Sequence, residues 1–351
     1  MVVFGVDPHK HSHTVVAVDE ASRKLGQLTV SSAQDGQLRL LRWARQLGSD
    51  RRRWAVEDGR HVAGRLVAQL LGAGEAVVWV PPKLMAQTRA SGRTRGKSDP
   101  IDALAVARAA LREPGLPAAQ LPGAALAVRL LVDHRDDLVA ERTRMINRLR
   151  WHLHALDPEL APPVRTLDRL WVLDRLAGQL AGLEGVRAQI AVELVAAVRQ
   201  LTGRINQLER DLATQVAPLS GQLRQVVGVG ALTAAKLIGH TGGVGRFGRS
   251  ARFAMHAGVA PIPVWSGNQT RHRLNRGGNR QLYAAIHRVA VTQLRGHPPA
   301  RALMERRMAA GSTKPEALRV LKRHLADVLY AAMCIDEQTT SLKHAGQPAA
   351  A

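Results

Sequence analysis

The chain of 351 residues is 46% hydrophobic, enough to bury the core of one large domain or of two modest ones. Its 50 Lys and Arg against 28 Asp and Glu leave a formal net charge of +22, an excess that a cytosolic enzyme for small metabolites does not need and that nucleic acid would compensate. One cysteine, Cys334, excludes a disulfide framework and a cysteine-based zinc site within the chain, and no run of about 18 uncharged apolar residues is present to span a membrane. The bias to Arg and Ala also fits the compositional drift of a high-GC genome. It leaves the nucleic-acid reading in place, because a guanidinium fork grips phosphate better than an ammonium does. The chain opens on a short strand-like run rather than a signal peptide, so a cytoplasmic, nucleoid-associated protein is expected.

Apolar runs at 2–7, 13–19 and 26–30 predict three strands, the first two joined by a stretch short enough for a hairpin. Helical spacing over 38–47, a strand over 53–57, a helix over 62–71 and a strand over 76–80 follow, the last closed by Pro81 and Pro82. An Ala-rich helix over 99–111 begins at Asp99 and Pro100, where cap and first-turn residues are favoured. This order predicts an α/β unit over 1–118, a mixed sheet with helices on its faces.

From about residue 123 the pattern becomes helical. Leu131, Leu138, Met145, Leu149 and Leu156 share one stripe, broken afterwards by Pro158, Pro162 and Pro163. Leu194, Val198, Leu201, Ile205, Leu208 and Leu212 form a heptad seam. These predict a long-helix, coiled-coil-like region over 123–217, pairing within one chain or across subunits, with the second slightly favoured. A mostly helical unit over 222–338 follows, with a loop over 261–280 and a helix over 281–294. A polar, disordered tail is expected over 339–351. The run VVGVGALTAAKLIGHTG at 226–242 is either a helix-entry turn or a turn that offers backbone N–H groups to a phosphate.

Asp7 and Glu57 end predicted strands, while Asp99 and Asp102 stand three apart at a helix start. If one sheet edge gathers them, the four carboxylates repel unless hard divalent cations sit between them, and oxygen donors suit Mg2+, with Mn2+ as a substitute. Two ions about 4 Å apart would activate an attacking oxygen and steady a leaving one, and a basic surface makes phosphodiester the natural substrate. His9, His11 and His13 alternate after Asp7; a metal site is open, and a solvated or DNA-facing patch is favoured. Lys10 and the run Arg93, Arg95 and Lys97 are expected to meet a nucleic-acid backbone. Pro8 can tilt His9 and Lys10 away from the acids, and Asp58 competes with Glu57 for the inward position.

The segments FGVDPHK, WAVEDG and KSDPIDALAVA, with VVGVGALTAAKLIG and FAMHAGVAPIPVWSGNQTRHRLNRGGNRQLYAAI further on, give the chain a resemblance along nearly its whole length. It resembles the insertion-sequence transposases related to pilin-gene-inverting DNA recombinases. The resemblance implies an N-terminal domain of ribonuclease-H-like fold, similar to Holliday-junction resolvases, with Asp7, Glu57, Asp99 and Asp102 as its acids. It further implies that Ser266 is a nucleophile that holds one DNA strand covalently and frees a 3′-hydroxyl. Arg271, Arg273, Arg276 and Arg280 would clamp the DNA around it. Family likeness also implies a homo-oligomer, dimer or tetramer, that joins the acids of one subunit with the serine of another, and in some members a noncoding guide RNA. The acids alone fit equally well a junction-cutting nuclease that uses water. The charge alone fits a protein that only organises DNA or RNA.

Overall fold

Alternation along the first strand decides the architecture of the N-terminal part. The computed structural model describes residues 1–47, 51–58, 60–91, 96, 98–113, 115–119, 123–266 and 269–345; at 60, 61, 265, 266, 269–271 and 343–345 it describes the backbone alone. The chain divides into two units, Met1–Gly123 and Ala124–Ala351.

In the first unit, β1 (Val2–Pro8), β2 (Ser12–Val18) and β3 (Lys24–Ser31) form an antiparallel meander, followed by α1 (Gln34–Gln46). Then come β4 (Arg52–Glu57), α2 (Arg60–Gly72), β5 (Ala76–Val80), α3 (Pro82–Ala90) and α4 (Asp99–Arg112). Strand β4 lies parallel to β1, and β5 parallel to β4, giving the sheet order β3-β2-β1-β4-β5. That order and mixture of directions is the ribonuclease-H-like arrangement that the resemblance implied. Successive side chains of a strand point to opposite faces. Val2, Phe4 and Val6 accordingly pack with Trp54, Val56 and the buried side of α1 and α2, where Leu40, Leu66 and Leu70 lie. Val3 packs on the other face with Val16, Ala55 and Val78 beneath Ala103, Val106 and Ala107 of α4. Burial on both faces is why β1 reads as an almost unbroken apolar run.

Gly5 is where α4 meets the sheet. A Cβ there would fall 2.1 Å from the Ala103 carbonyl oxygen and 2.5 Å from the Ala107 nitrogen. Helix α4 starts at Asp99 as expected, but its cap lies one residue earlier than expected: Ser98 is the extended N-cap residue, and Asp99 and Pro100 open the helix. Helix α3 is absent from the sequence expectation. Pro81 and Pro82 read as the end of β5, yet Pro81 is extended and Pro82 sits in the first turn of a helix, a position whose missing N–H costs nothing.

In the second unit, α5 (Ala124–Leu156), α6 (Leu170–Leu180) and α7 (Val186–Val216) come first. Helices α5 and α7 pair antiparallel within the chain, which corrects the slight preference for pairing across subunits. Arg135 on α5 donates to Glu209 at 3.0 Å, and Arg142 to the Thr202 hydroxyl at 3.3 Å, so one helix descends as the other ascends. Of the heptad seam, Val198, Ile205, Leu208 and Leu212 are buried. Leu149 and Leu153 from α5 share one core with Leu173, Leu176 and Leu180 of α6.

The chain continues through α8 (Ala231–Thr241), α9 (Ser250–His256), β6 (Ile262–Ser266), β7 (Gln269–Arg273), α10 (Arg280–Gly296), α11 (Pro298–Ala309) and α12 (Lys314–Ala345). Strands β6 and β7 replace part of the expected loop; they pair antiparallel from Ile262↔Arg273 to Ser266↔Gln269. Their Ile262, Val264, Trp265 and Thr270 suit a strand, although Pro, Asn and Gly residues nearby read as loop. Buried Asp336 of α12 accepts from the backbone N–H groups of Gln222 and Leu223 at 2.7 and 2.9 Å. Its neighbour Glu337 accepts from those of Val244 and Gly245. Helix α12 runs on through Ala345, past the start of the expected polar tail. The hydroxyls of Thr339 and Thr340 bond back to the carbonyls of Ile335 and Asp336, so these polar residues stay helical. Among the described residues, no helix is long and apolar enough to cross a membrane.

Replacing Gly5 by Ala forces α4 away from β1. Overpacking of this kind costs about 1–3 kcal/mol, so the denaturant midpoint of Gly5→Ala is expected below that of wild type. An unchanged midpoint would show that the helix does not rest on the strand.

Candidate metal centre

The same alternation that builds the sheet aims its acids. Val3, Gly5 and Asp7 share the α4 face of β1, and Ala55 and Glu57 share the α4 face of β4. Both carboxylates stand at the C-terminal ends of adjacent parallel strands, the edge where open α/β sheets place their ligands. This parity settles the competition between Glu57 and Asp58 in favour of Glu57. Helix α4, drawn close by Gly5, begins above that edge and contributes Asp99 and Asp102 from one side of its first turn.

Asp7 and Asp102 are buried, 6% and 7% exposed; Glu57 is half-buried, and Asp99 faces solvent. Burial raises the Asp7 carboxyl above the usual carboxylate range; His9 opposes the rise, and Asp99 and Asp102 add to it. Burial likewise raises Glu57, with further upward push from Asp7 and Asp102, while Arg89 and His9 pull it down. Asp7 therefore feels Asp99 and Asp102, and Glu57 feels Asp7 and Asp102, as a shared site requires. Buried, mutually repelling carboxylates are the donor set that a hard divalent cation relieves, so the residues present fit such an ion.

Two basic side chains enter the cluster. His9 Nε2 lies 3.2 Å from Asp7 Oδ2 and 3.4 Å from Asp99 Oδ1. One ligand atom from each of Asp7, His9 and Asp99 lies within 4.8 Å of the others, a group able to hold a divalent ion. On the inner side, Arg89 Nη1 of α3 donates to Asp102 Oδ1 at 2.6 Å. The sequence reading missed Arg89 and left His9 open between a metal site and a solvated or DNA-facing patch. Pro8 was expected to turn His9 away, but the chain leaves β1 into a tight turn closed by His9 N–H on the Ser12 carbonyl at 2.8 Å, which brings the ring back over the acids. The three alternating histidines do not form one face. His11 is exposed in the turn, and His13 is buried in β2 with its Nδ1 unpartnered. The signal available for His9 was its place two residues after Asp7.

Lys10 is exposed in that turn. Arg93, Arg95 and Lys97 lie outside the described residues. Ser266 belongs to the second unit, at the last position of β6; its side chain and that of Arg271 are outside the described set. Arg273, Arg276 and Arg280 are exposed along the end of β7, the following loop and the start of α10. That loop is held by its own polar groups. The Asn275 amide donates to the Met255 carbonyl at 2.9 Å, and Asn279 Oδ1 caps α10 by accepting from Gln281 and Leu282 N–H. A Cβ on Gly278 would lie 2.3 Å from the Gly258 backbone, so two glycines let the segments cross. The four acids are thus brought together by the first unit, and the basic segment around Ser266 is built by the second.

A fold with metal-ready carboxylates at its strand ends and a separate basic segment fits a metal-dependent nuclease or transposase. A family model described as transposase matches residues 4–158, and one described as the transposase IS116/IS110/IS902 family matches residues 220–305. The chain belongs to this IS116/IS110/IS902 family of transposases. It is 29% identical to the uncharacterized 44.8 kDa protein of insertion element IS116 from Streptomyces clavuligerus, over 93% of each chain. It is 25% identical to the uncharacterized 42 kDa protein of insertion element IS900 from Mycobacterium paratuberculosis, over 93% of this chain and 94% of that one. RuvC of T. thermophilus, solved in complex with Holliday junction substrate, is 18% identical, with a TM-score of 0.27 over 34% of this chain and 99% of its own. The family assignment stands without that last likeness.

Calorimetric titration of the full-length protein with Mn2+ tests the cluster directly. Asp7→Asn is expected to abolish binding, and His9→Ala to weaken it by about tenfold or more, at least what loss of an outer partner costs. Unaltered affinity in His9→Ala would remove the imidazole from the site.

Proposed function

We propose that this transposase breaks DNA phosphodiester bonds at its acidic cluster, with one or two divalent ions, Mg2+ or Mn2+, held by Asp7, His9, Glu57, Asp99 and Asp102. The observation that supports this most strongly is the meeting of ligand atoms of Asp7, His9 and Asp99 within 4.8 Å of one another at one sheet edge. When bound, the ions would activate the attacking oxygen and stabilise the leaving one. The chain's own part is geometric. Strands β1 and β4 fix Asp7 and Glu57, α4 fixes Asp99 and Asp102, and the turn after β1 carries His9 to their outer side. Burial of Asp7 and Asp102 limits water around them and would strengthen their hold on a divalent ion. Hydrolysis by water is the step this cluster supports by itself.

Strand rejoining asks for more, and Ser266 is our candidate for it. It lies within the region matched by the family model of the second unit, on the hairpin whose far end carries exposed Arg273 and leads to exposed Arg276 and Arg280, whose guanidinium forks suit phosphate. In this reading the Ser266 hydroxyl attacks the phosphorus, the strand end stays bound to the serine, and the departing 3′-oxygen takes up a proton. A guide RNA as a second partner is supported by the formal charge of +22 and by the resemblance. An oligomer is supported by Trp151 and Trp171, 76% and 60% exposed, on α5 and α6.

Labelled DNA carrying an element end, incubated with the protein in Mg2+ and run on a denaturing gel, separates the steps. Asp102→Asn is expected to lower cleavage at least about a hundredfold, the upper range for a lost outer partner, while DNA binding persists. Ser266→Ala is expected to remove any protein-linked strand and leave hydrolytic product. Cleavage at the wild-type rate in Asp102→Asn would overturn the acidic site. A wild-type protein that cuts without a linked strand would assign the attack to water.

A further inference from the structure

His9 and Arg89 approach the acidic cluster from different sides. His9 lies between Asp7 and Asp99, at 3.2 and 3.4 Å, on the exposed side. Arg89 lies against Asp102 at 2.6 Å and draws on Glu57 electrostatically, on the inner side. The inner pair therefore already has a cation of its own, supplied by the protein. A divalent ion sits about 2 Å from a carboxylate oxygen. Placed on Asp102 and Glu57, it would stand beside a guanidinium of the same sign, and the two would compete for the same oxygens.

We propose that Arg89 occupies the second cation position of the acidic site, on Asp102 and Glu57, and has to withdraw before a second divalent ion binds there. The inference rests on the reading of these acids as a cation site. Arg89 is placed to withdraw. It is the penultimate residue of α3, and its side chain is 30% exposed at the rim of the site. The fork that holds a carboxylate holds a phosphate equally well, so a DNA backbone entering the site offers the guanidinium another partner. The protein would then take its first ion at Asp7, His9 and Asp99 and complete the pair only as substrate arrives. This makes Arg89 a positioning residue, acting through the ion it admits.

A permanent clasp between α3 and α4 is the competing role, and ion binding separates the two, since loss of a clasp cannot create affinity. The full-length protein without DNA is titrated with Mn2+ by calorimetry, as wild type, Arg89→Ala and Arg89→Lys. Wild type is expected to bind one ion well and a second weakly. In Arg89→Ala the second is expected to bind at least about tenfold tighter, a small share of the repulsion between charges this close. Arg89→Lys, which keeps the charge and the link to α4 but loses the fork, is expected to fall between them and guards against misfolding of the alanine variant. Equal stoichiometry and affinity in all three overturns the proposal and leaves the cation site standing. No ion bound by any of the three overturns the cation site, and this inference with it.

Discussion

The close approach of α4 to β1 is the constraint on which the acidic site depends. Helices packed through ordinary side chains keep their axes about 8–10 Å apart. At Gly5 no side chain intervenes, and the backbone of α4 between Ala103 and Ala107 comes down onto the strand. Asp99 and Asp102 ride on the first turn of that helix, so their distance from Asp7 is set one helical turn away, by a residue without chemistry. The upward push of Asp99 and Asp102 on Asp7, and of Asp102 on Glu57, depends on that contact.

Strain of this sort has a direction. Acids drawn together by packing raise the cost of ionising Asp7 and Glu57, and the chain offsets part of it with a partly buried arginine and an imidazole. The remainder is what a divalent ion relieves. Such a site differs from a surface cluster of carboxylates, where water screens each charge and an ion adds little.

Much of the first unit was legible because a strand buried on both faces and an Ala-rich helix leave strong patterns. The carboxylates were legible because they terminate those patterns. Glu57 could not be told from Asp58 until the parity of Ala55 was tied to a particular face. His9 was obscured by its place in a turn, which has no period to read. Arg89 was obscured because the helix that carries it begins with two prolines that also mark the end of a strand. The heptad seam of α7 was plain in the sequence, but periodicity names a face and not its partner; only Arg135 with Glu209 and Arg142 with Thr202 reveal that the partner is α5 of the same chain. The loop over 261–280 concealed the hairpin β6–β7 because its turn residues outnumber the few β-formers between them.

Asp336 and Glu337 carry a consequence for how the protein is made. They hold the backbone of residues 222–223 and 244–245, segments more than ninety positions earlier in the chain. A ribosome adds about 5–20 residues each second, so those turns wait several seconds for the carboxylates that fasten them. The first unit can finish folding while the polypeptide is still being extended, whereas the second gains these fastenings only after α12 has been made. A messenger truncated ahead of α12 would thus yield a folded acidic domain joined to a loosely closed partner.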